Sequence, residues 1–207
     1  MKKIMFSDKY GLTQAVLDGR KTMTRRIVKD VGLLQFLDEL NDDGSLKSIK
    51  GTIITESNSP YKIGEIVAVA QSYKDVYALF KDIDIHSAYI EALTGLKPTF
   101  GKDKQGYANK MFVKAEFMPH HIRITDIKVE RLQDISDDDC MKEGIYFYNC
   151  GIDCGYTADR LRHKYGKAKD AFAALIDLIS GKGTWDRNPY VFAYTFELVE
   201  KGGGDET

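Results

Sequence analysis

The densest chemistry in the sequence lies at Arg20-Lys21-Thr22-Met23-Thr24-Arg25-Arg26, where four cations and two hydroxyls occupy seven residues. A formal net charge of −1 and a pI near 6.4 give the molecule as a whole no field that draws in a polyanion, so any nucleic-acid contact has to come from a local patch such as this one. A solvated run of charge is the competing reading. Cys140, Cys150, Cys154 and His163 form a second group with ligand chemistry. Their spacing beyond the Cys-x3-Cys step fits no standard zinc pattern, so reduced thiols in a loop are expected, with no metal and no cofactor. His120-His121 precedes a strand, where neighbours point to opposite faces, and is expected to pack or face solvent. Gly181-Lys182-Gly183-Thr184 has the composition of part of a phosphate loop, but it follows a helix instead of opening one and is set aside.

The elements that must position the basic stretch can be read on either side of it. Lys3 to Phe6 reads as a short first strand, and Leu12, Ala15 and Val16 then recur with helical period before Gly19, which sits where a left-handed cap belongs. The cations therefore begin directly after a helix end. Residues from about 29 to 60 read as an insertion with one weak helical pattern at Leu33 to Leu40. Ile66 to Tyr73 runs apolar and β-branched, as a buried strand should, and a second variable stretch over about 74–110 contains a possible helix at Ile85 to Leu93.

From Met111 the pattern is β again, through Phe112, Val113 and Ala115 and then Ile122 and Ile124. Alternation resumes at Ile127 and Val129 with its phase shifted by one, which predicts a β-bulge near Thr125-Asp126. Ser136 starts a capping box for a short helix ending at Gly144, and Ala171, Phe172, Leu175, Ile176 and Ile179 form the apolar face of a helix closed by Gly181. Tyr190, Phe192, Tyr194, Phe196 and Leu198 alternate along a last strand, and residues 202–207 read as a flexible tail.

A chain of 207 residues with 43% hydrophobic and 29% charged residues has ordinary globular composition, and one domain over residues 1–201 is expected. The apolar run at the start stops before Asp8-Lys9, too early for a signal sequence, and no stretch approaches the ~20 uncharged apolar residues of a membrane helix. A cytoplasmic protein without a membrane partner is the expectation.

Gly19-Arg20-Lys21-Thr22-Met23-Thr24-Arg25-Arg26 resembles the signature of ASCH domains, relatives of the PUA RNA-binding fold. Tyr61-Lys62-Ile63-Gly64-Glu65-Ile66, Met118-Pro119, Val129 to Ile135 and Gly183 to Val191 resemble the phage and prophage branch of that group, in the same order along the chain. The resemblance implies an α+β protein, a PUA-like mixed β-barrel with flanking helices and the two insertions. It also implies an RNA-related module whose ligand is nucleic acid, a nucleotide or a modified nucleoside.

Under that reading Arg20, Arg25 and Arg26 offer planar donor forks to phosphate or base edges, Gln71 lies beside the ligand, and Tyr73 and Trp185 stack on a base. Packing in a core or lid is the alternative role for Trp185. One branch of the group resembles an amidohydrolase that removes the acetyl group of N(4)-acetylcytidine with lysine, threonine and glutamate. Lys21 and Thr24 match the first two members, a base and a nucleophile, but Gln71 stands where the glutamate is expected, and Glu65 occupies a nearby turn position. A protein-interaction module, with the insertions as its surface, is the remaining alternative.

Overall fold

The structure, a computed structural model, describes residues 1–28, 37–40, 46–48, 58–79, 105–151 and 153–199. Its strands are β1 (Lys3–Ile4), β2 (Met23–Ile27), β3 (Leu37–Leu40), β4 (Leu46–Ser48), β5 (Ile66–Val69), β6 (His121–Arg131), β7 (Tyr146–Cys150), β8 (Asp153–Thr157) and β9 (Tyr190–Val199). Its helices are α1 (Leu12–Leu17), α2 (Tyr73–Leu79), α3 (Asp137–Lys142), α4 (Ala168–Ser180) and α5 (Thr184–Arg187). Five strands form one mixed sheet in the order β1-β5-β6-β9-β2, and β3-β4 and β7-β8 form separate pairs. The fold is therefore α+β. Among the described residues β1 and β2 are the ends of that sheet, and no closed barrel is seen.

The chain divides into two compact units, one of residues 1–6, 66–123 and 198–207 and the other of residues 7–65 and 124–197. In the first unit β1 runs parallel to β5, with Lys3 opposite Ala68, while β5 runs antiparallel to the start of β6, with Val67 opposite Ile122. Val67, Ala68 and Val69 are fully buried, as a continuous apolar run should be. The expected strand to Tyr73 ends earlier, because Ser72 starts α2: its hydroxyl bonds the Asp75 carboxylate and accepts from the Asp75 N–H. The expected strand from Met111 is likewise replaced by two 3-10 turns, Lys110–Phe112 and Ala115–Phe117, the first capped by Asn109 accepting from the Met111 N–H at 2.9 Å. The possible helix at Ile85 to Leu93 lies outside the described residues.

In the second unit β2 and β9 pair antiparallel with Thr24 opposite Tyr194 and Arg26 opposite Phe192. Along β6 the buried apolar positions are Ile122, Ile124, Ile127 and Val129, a one-residue phase slip at the expected place, and His121 is buried as well. Leu12, Ala15 and Val16 of α1 are buried, Ser136 caps α3 by accepting from the Asp139 N–H at 3.1 Å, and Gly19, Gly144 and Gly181 follow their helices with positive φ. On α4 the apolar face holds for Ala171, Phe172, Leu175 and Ile176, whereas Ile179 is exposed.

Two expectations are corrected here. Part of the weak helical pattern at Leu33 to Leu40 is strand β3, paired with β4, where register pairing rather than propensity wins. Cys150 and Cys154 sit not in a loop but in the β7-β8 hairpin, opposite Asp153 and Asn149 respectively, which puts the two thiols on opposite faces.

Burial on β6 decides what its residues contribute. Replacing the buried Ile127 with alanine is expected to cost about 2–4 kcal/mol in urea-induced unfolding, while replacing its exposed neighbour Lys128 changes stability by less than about 0.5 kcal/mol.

Candidate functional site

Backbone hydrogen bonds carry Lys21 from the end of α1 to the end of α3. Its own N–H donates to the Ala15 carbonyl at 2.8 Å, the Thr22 N–H donates to the Lys142 carbonyl at 2.9 Å, and the Phe196 N–H donates to the Thr22 carbonyl at 2.9 Å. The residue after Lys142 is Glu143. The Lys21 side chain, 2% exposed, donates from Nζ to the Glu143 carboxylate Oε2 at 2.6 Å and to the Glu143 carbonyl at 2.7 Å. Burial pushes the Lys21 ammonium below its ordinary pKa, and the charge and hydrogen bond of Glu143 oppose that shift.

Strand alternation then separates the basic residues. Met23 and Arg25 project to one face of β2, and Thr24 and Arg26 to the other. The Arg25 side chain is 1% exposed and its whole fork is engaged. Nε donates to Glu130 Oε1 at 2.8 Å, Nη2 lies 2.6 Å from the same oxygen and 3.3 Å from Asp139 Oδ2, and Nη1 lies 3.2 Å from Glu143 Oε1 and from Met23 Sδ. Glu143 thus places one carboxylate oxygen on Lys21 and the other on Arg25. Burying an ion costs several kcal/mol unless it is paired, and here both cations are paired within the unit. Arg20 is the outward member of the stretch, bonded to Asp159 at 3.0 Å and Asp18 at 3.1 Å on the surface.

The opposite face is built differently. Thr24 is buried, Arg26 half-buried, and β9 brings Tyr194 and Phe192 beside them through the pairing register. The Tyr194 hydroxyl lies 2.7 Å from Ser59 Oγ, and the Tyr61 ring packs edge-on against Tyr194 with centroids 5.3 Å apart. Burial pushes the Tyr194 phenol up to about 12, against a hydrogen bond from Ser59 that favours ionisation. Burial lowers the Arg26 guanidinium, opposed by the nearby Tyr61, Glu143 and Tyr194, though arginine stays charged in any ordinary solution.

The remaining expected residues have contacts of their own. Gln71 and Tyr73 belong to the first unit, where the Gln71 Oε1 lies 2.8 Å from His120 Nδ1, and Tyr73 is buried against Phe117 with its hydroxyl accepting from the Lys114 N–H at 3.0 Å. Glu65 belongs to the second unit, and its carboxylate accepts from the Lys62 N–H at 2.9 Å within the turn. Trp185 packs edge-on against Phe172 of α4 with centroids 6.1 Å apart, and its backbone is fixed by Asp177 and Gln133. Cys140 is buried, which pushes its thiol up to about 12, and no group of three metal-ligating side chains occurs among the described residues. No described helix is long and apolar enough to cross a membrane.

Glu143, Glu130 and Asp139 carry no motif that marks them as partners of the basic stretch. Glu130 lies inside one of the segments that resemble the ASCH group, Asp139 in the capping box that Ser136 starts, and Glu143 directly precedes the glycine that ends α3.

No family model matches the chain, and a search of curated proteins finds none similar to it. Among solved structures, the crystal structure of protein EF3133 from Enterococcus faecalis V583, described under the family model DUF984, is weakly similar. It has a TM-score of 0.41 and 11% identity over 97% of this chain and 77% of that one.

Because Glu143 serves two cations, Glu143→Ala strips the buried Lys21 of its carboxylate and leaves Arg25 with Glu130 and Asp139 alone, and is expected to cost about 3–5 kcal/mol in denaturant unfolding. Lys21→Met, which leaves Glu143 still facing Arg25, is expected to cost less; the reverse order would contradict the shared carboxylate. Asp139 carries a pH signature. Desolvation raises its pKa, but hydrogen bonds and charge from Lys142 and Arg25 outweigh that and hold it below the usual carboxylate range. Its contribution is therefore present above the unfolded-state value of about 3.9 and is lost as pH falls below it, so Asp139→Asn is expected to flatten the acid limb of a stability-versus-pH curve.

Proposed function

We propose that this protein is an ASCH-type module of the phage and prophage kind that binds a nucleoside or nucleotide on the Thr24–Arg26 face of β2, in preference to a long nucleic-acid strand. The observation that carries this reading is the division of the basic stretch between two faces. Lys21 and Arg25 are turned inward onto Glu143, Glu130 and Asp139, and Arg20 is held by two surface aspartates. That consumes the charge a polyanion would need and leaves a compact polar and aromatic set.

In that set Thr24 supplies a hydroxyl, Arg26 a cation, and Tyr61 a half-exposed ring able to stack on a base. One hydroxyl, one guanidinium and one ring together suit a single base and its sugar or phosphate. The Lys21–Glu143 network sits behind it and fixes the strand.

A second reading is favoured by one specific distance. Glu143 Oε2, 2.6 Å from Lys21 Nζ, supplies the carboxylate that Gln71 cannot. Thr24 lies on the other face of β2, so its hydroxyl would have to turn toward the Lys21 amine, whose pKa burial lowers, to pass it a proton and attack an amide carbonyl. The C–N bond would break as Lys21 returns that proton to the leaving amine, and water would then hydrolyse the threonyl ester, as in deacetylation of N(4)-acetylcytidine.

Calorimetric titration with cytidine, cytidine 5′-monophosphate and N(4)-acetylcytidine separates these readings. Binding of at least one, lost in Thr24→Val and in Arg26→Met at unchanged melting temperature, is expected. Release of cytidine from N(4)-acetylcytidine that stops in Thr24→Val would establish the second reading. Equal affinities in wild type and both variants would overturn the site.

A further inference from the structure

The second unit has a pocket of about 570 Å³ that shares no lining residue with the β2 cluster, and its charge is not balanced. Lys9, Arg160, Arg162 and Lys182 line it, against a single carboxylate, Asp177. That carboxylate is already committed: its oxygens accept from the Gly183 N–H at 2.9 Å and the Trp185 N–H at 2.8 Å, which holds the start of α5. Four cations therefore face the pocket in a chain whose formal net charge is −1. Between them the wall is apolar, formed by Tyr10, Leu161, Ala174 and Leu178.

The frame that presents these cations is fixed by close backbone contacts. The loop from Ala158 to Tyr165 returns onto β8 through paired hydrogen bonds between Tyr156 and Tyr165, at 2.8 and 2.9 Å, and through the Leu161 N–H to the Ala158 carbonyl at 3.0 Å. Two glycines permit the approach. A Cβ at Gly155 would stand 2.9 Å from the Tyr165 carbonyl oxygen, and one at Gly11 would stand 2.5 Å from Asp159 Cβ. At the loop tip Arg160 is held at φ +63°, a conformation uncommon for a residue with a side chain, and its guanidinium reaches the Asp8 carbonyl at 3.4 Å. On the other side Leu178 and Asp177 come from a regular helix, and Lys182 follows its capping Gly181. A concave apolar wall with convergent cations on rigid elements has the character of a ligand site.

We propose that this pocket binds a small organic anion with a flat apolar body, in chemistry an aryl or similar phosphate or sulfonate. Inorganic phosphate alone lacks the body that the Tyr10, Leu161 and Leu178 wall would cover, and a neutral aromatic lacks the charge. The proposal is independent of the β2 reading, since none of its residues belongs to that cluster.

The test uses the full chain and 8-anilinonaphthalene-1-sulfonate, followed by fluorescence enhancement. The expected result is saturable binding that weakens with added salt and is displaced by phenyl phosphate but not by the same concentration of inorganic phosphate. Arg162→Ala combined with Lys182→Ala, and separately Leu178→Glu, are expected to weaken the probe by at least about tenfold, while Thr24→Val leaves it unchanged. Melting temperatures within a few degrees of wild type confirm that these surface variants fold. Equal affinity in the double variant or in Leu178→Glu, displacement by inorganic phosphate as effective as by phenyl phosphate, or the absence of binding would overturn the proposal.

Discussion

Glu143 is one carboxylate held between two buried cations. Its two oxygens lie 2.6 Å from Lys21 Nζ and 3.2 Å from Arg25 Nη1, and its own backbone carbonyl takes a further proton from Lys21. Lys21 could not occupy its place without it, because an unpaired buried charge costs more than the packing around it returns, whereas Arg25 is held by Glu130 and Asp139 as well. The network extends to Glu130 on β6 and Asp139 on α3, so five side chains, Lys21, Arg25, Glu130, Asp139 and Glu143, are oriented by one set of charges. The start of β2 is fixed in the same way by backbone hydrogen bonds to α1, α3 and β9.

This arrangement changes what the basic stretch is for. Read along the chain it is a run of positive charge; in the folded unit it is a neutralised interior on one face of β2 and a largely buried polar and aromatic set on the other. Period-two alternation produces that division with no further device, since Arg25 and Arg26 are adjacent and point apart. The charge that remains unbalanced lies elsewhere, around the loop that follows β8 and the end of α4. Any account of ligand binding by this chain has to treat the two places separately, because one is organised by internal ion pairs and the other by cations facing open space.

Much of the scaffold was legible in the residues. The α1 pattern with its glycine, the Ser136 cap and the phase slip along β6 each express a local rule and appear where that rule puts them; the last strand is present as β9, but Tyr190 to Tyr194 are all buried and Leu198 is exposed, so its burial does not alternate. Where local rules compete, the reading failed. Ser72 carried a cap signal that was absorbed into an apolar run, Asn109 turned a β-like segment into 3-10 turns, and the pairing of β3 with β4 overrode a helical spacing. The partners of the cations were not legible at all. Lys21 meets a carboxylate 122 residues later, and nothing in the neighbourhood of either residue encodes that meeting, which is a property of how α3 is brought to the start of β2.

The inward orientation of the basic stretch is tested most directly by amine labelling of the native protein followed by peptide mass spectrometry, comparing Lys21 with the exposed Lys62 and Lys142. The account requires Lys21 to remain unmodified while both exposed lysines react, and to become reactive only when the protein is unfolded. Modification of Lys21 in the folded protein at the rate of Lys62 would contradict it, because an amine closed off by Glu143 cannot be reached by a reagent in solution.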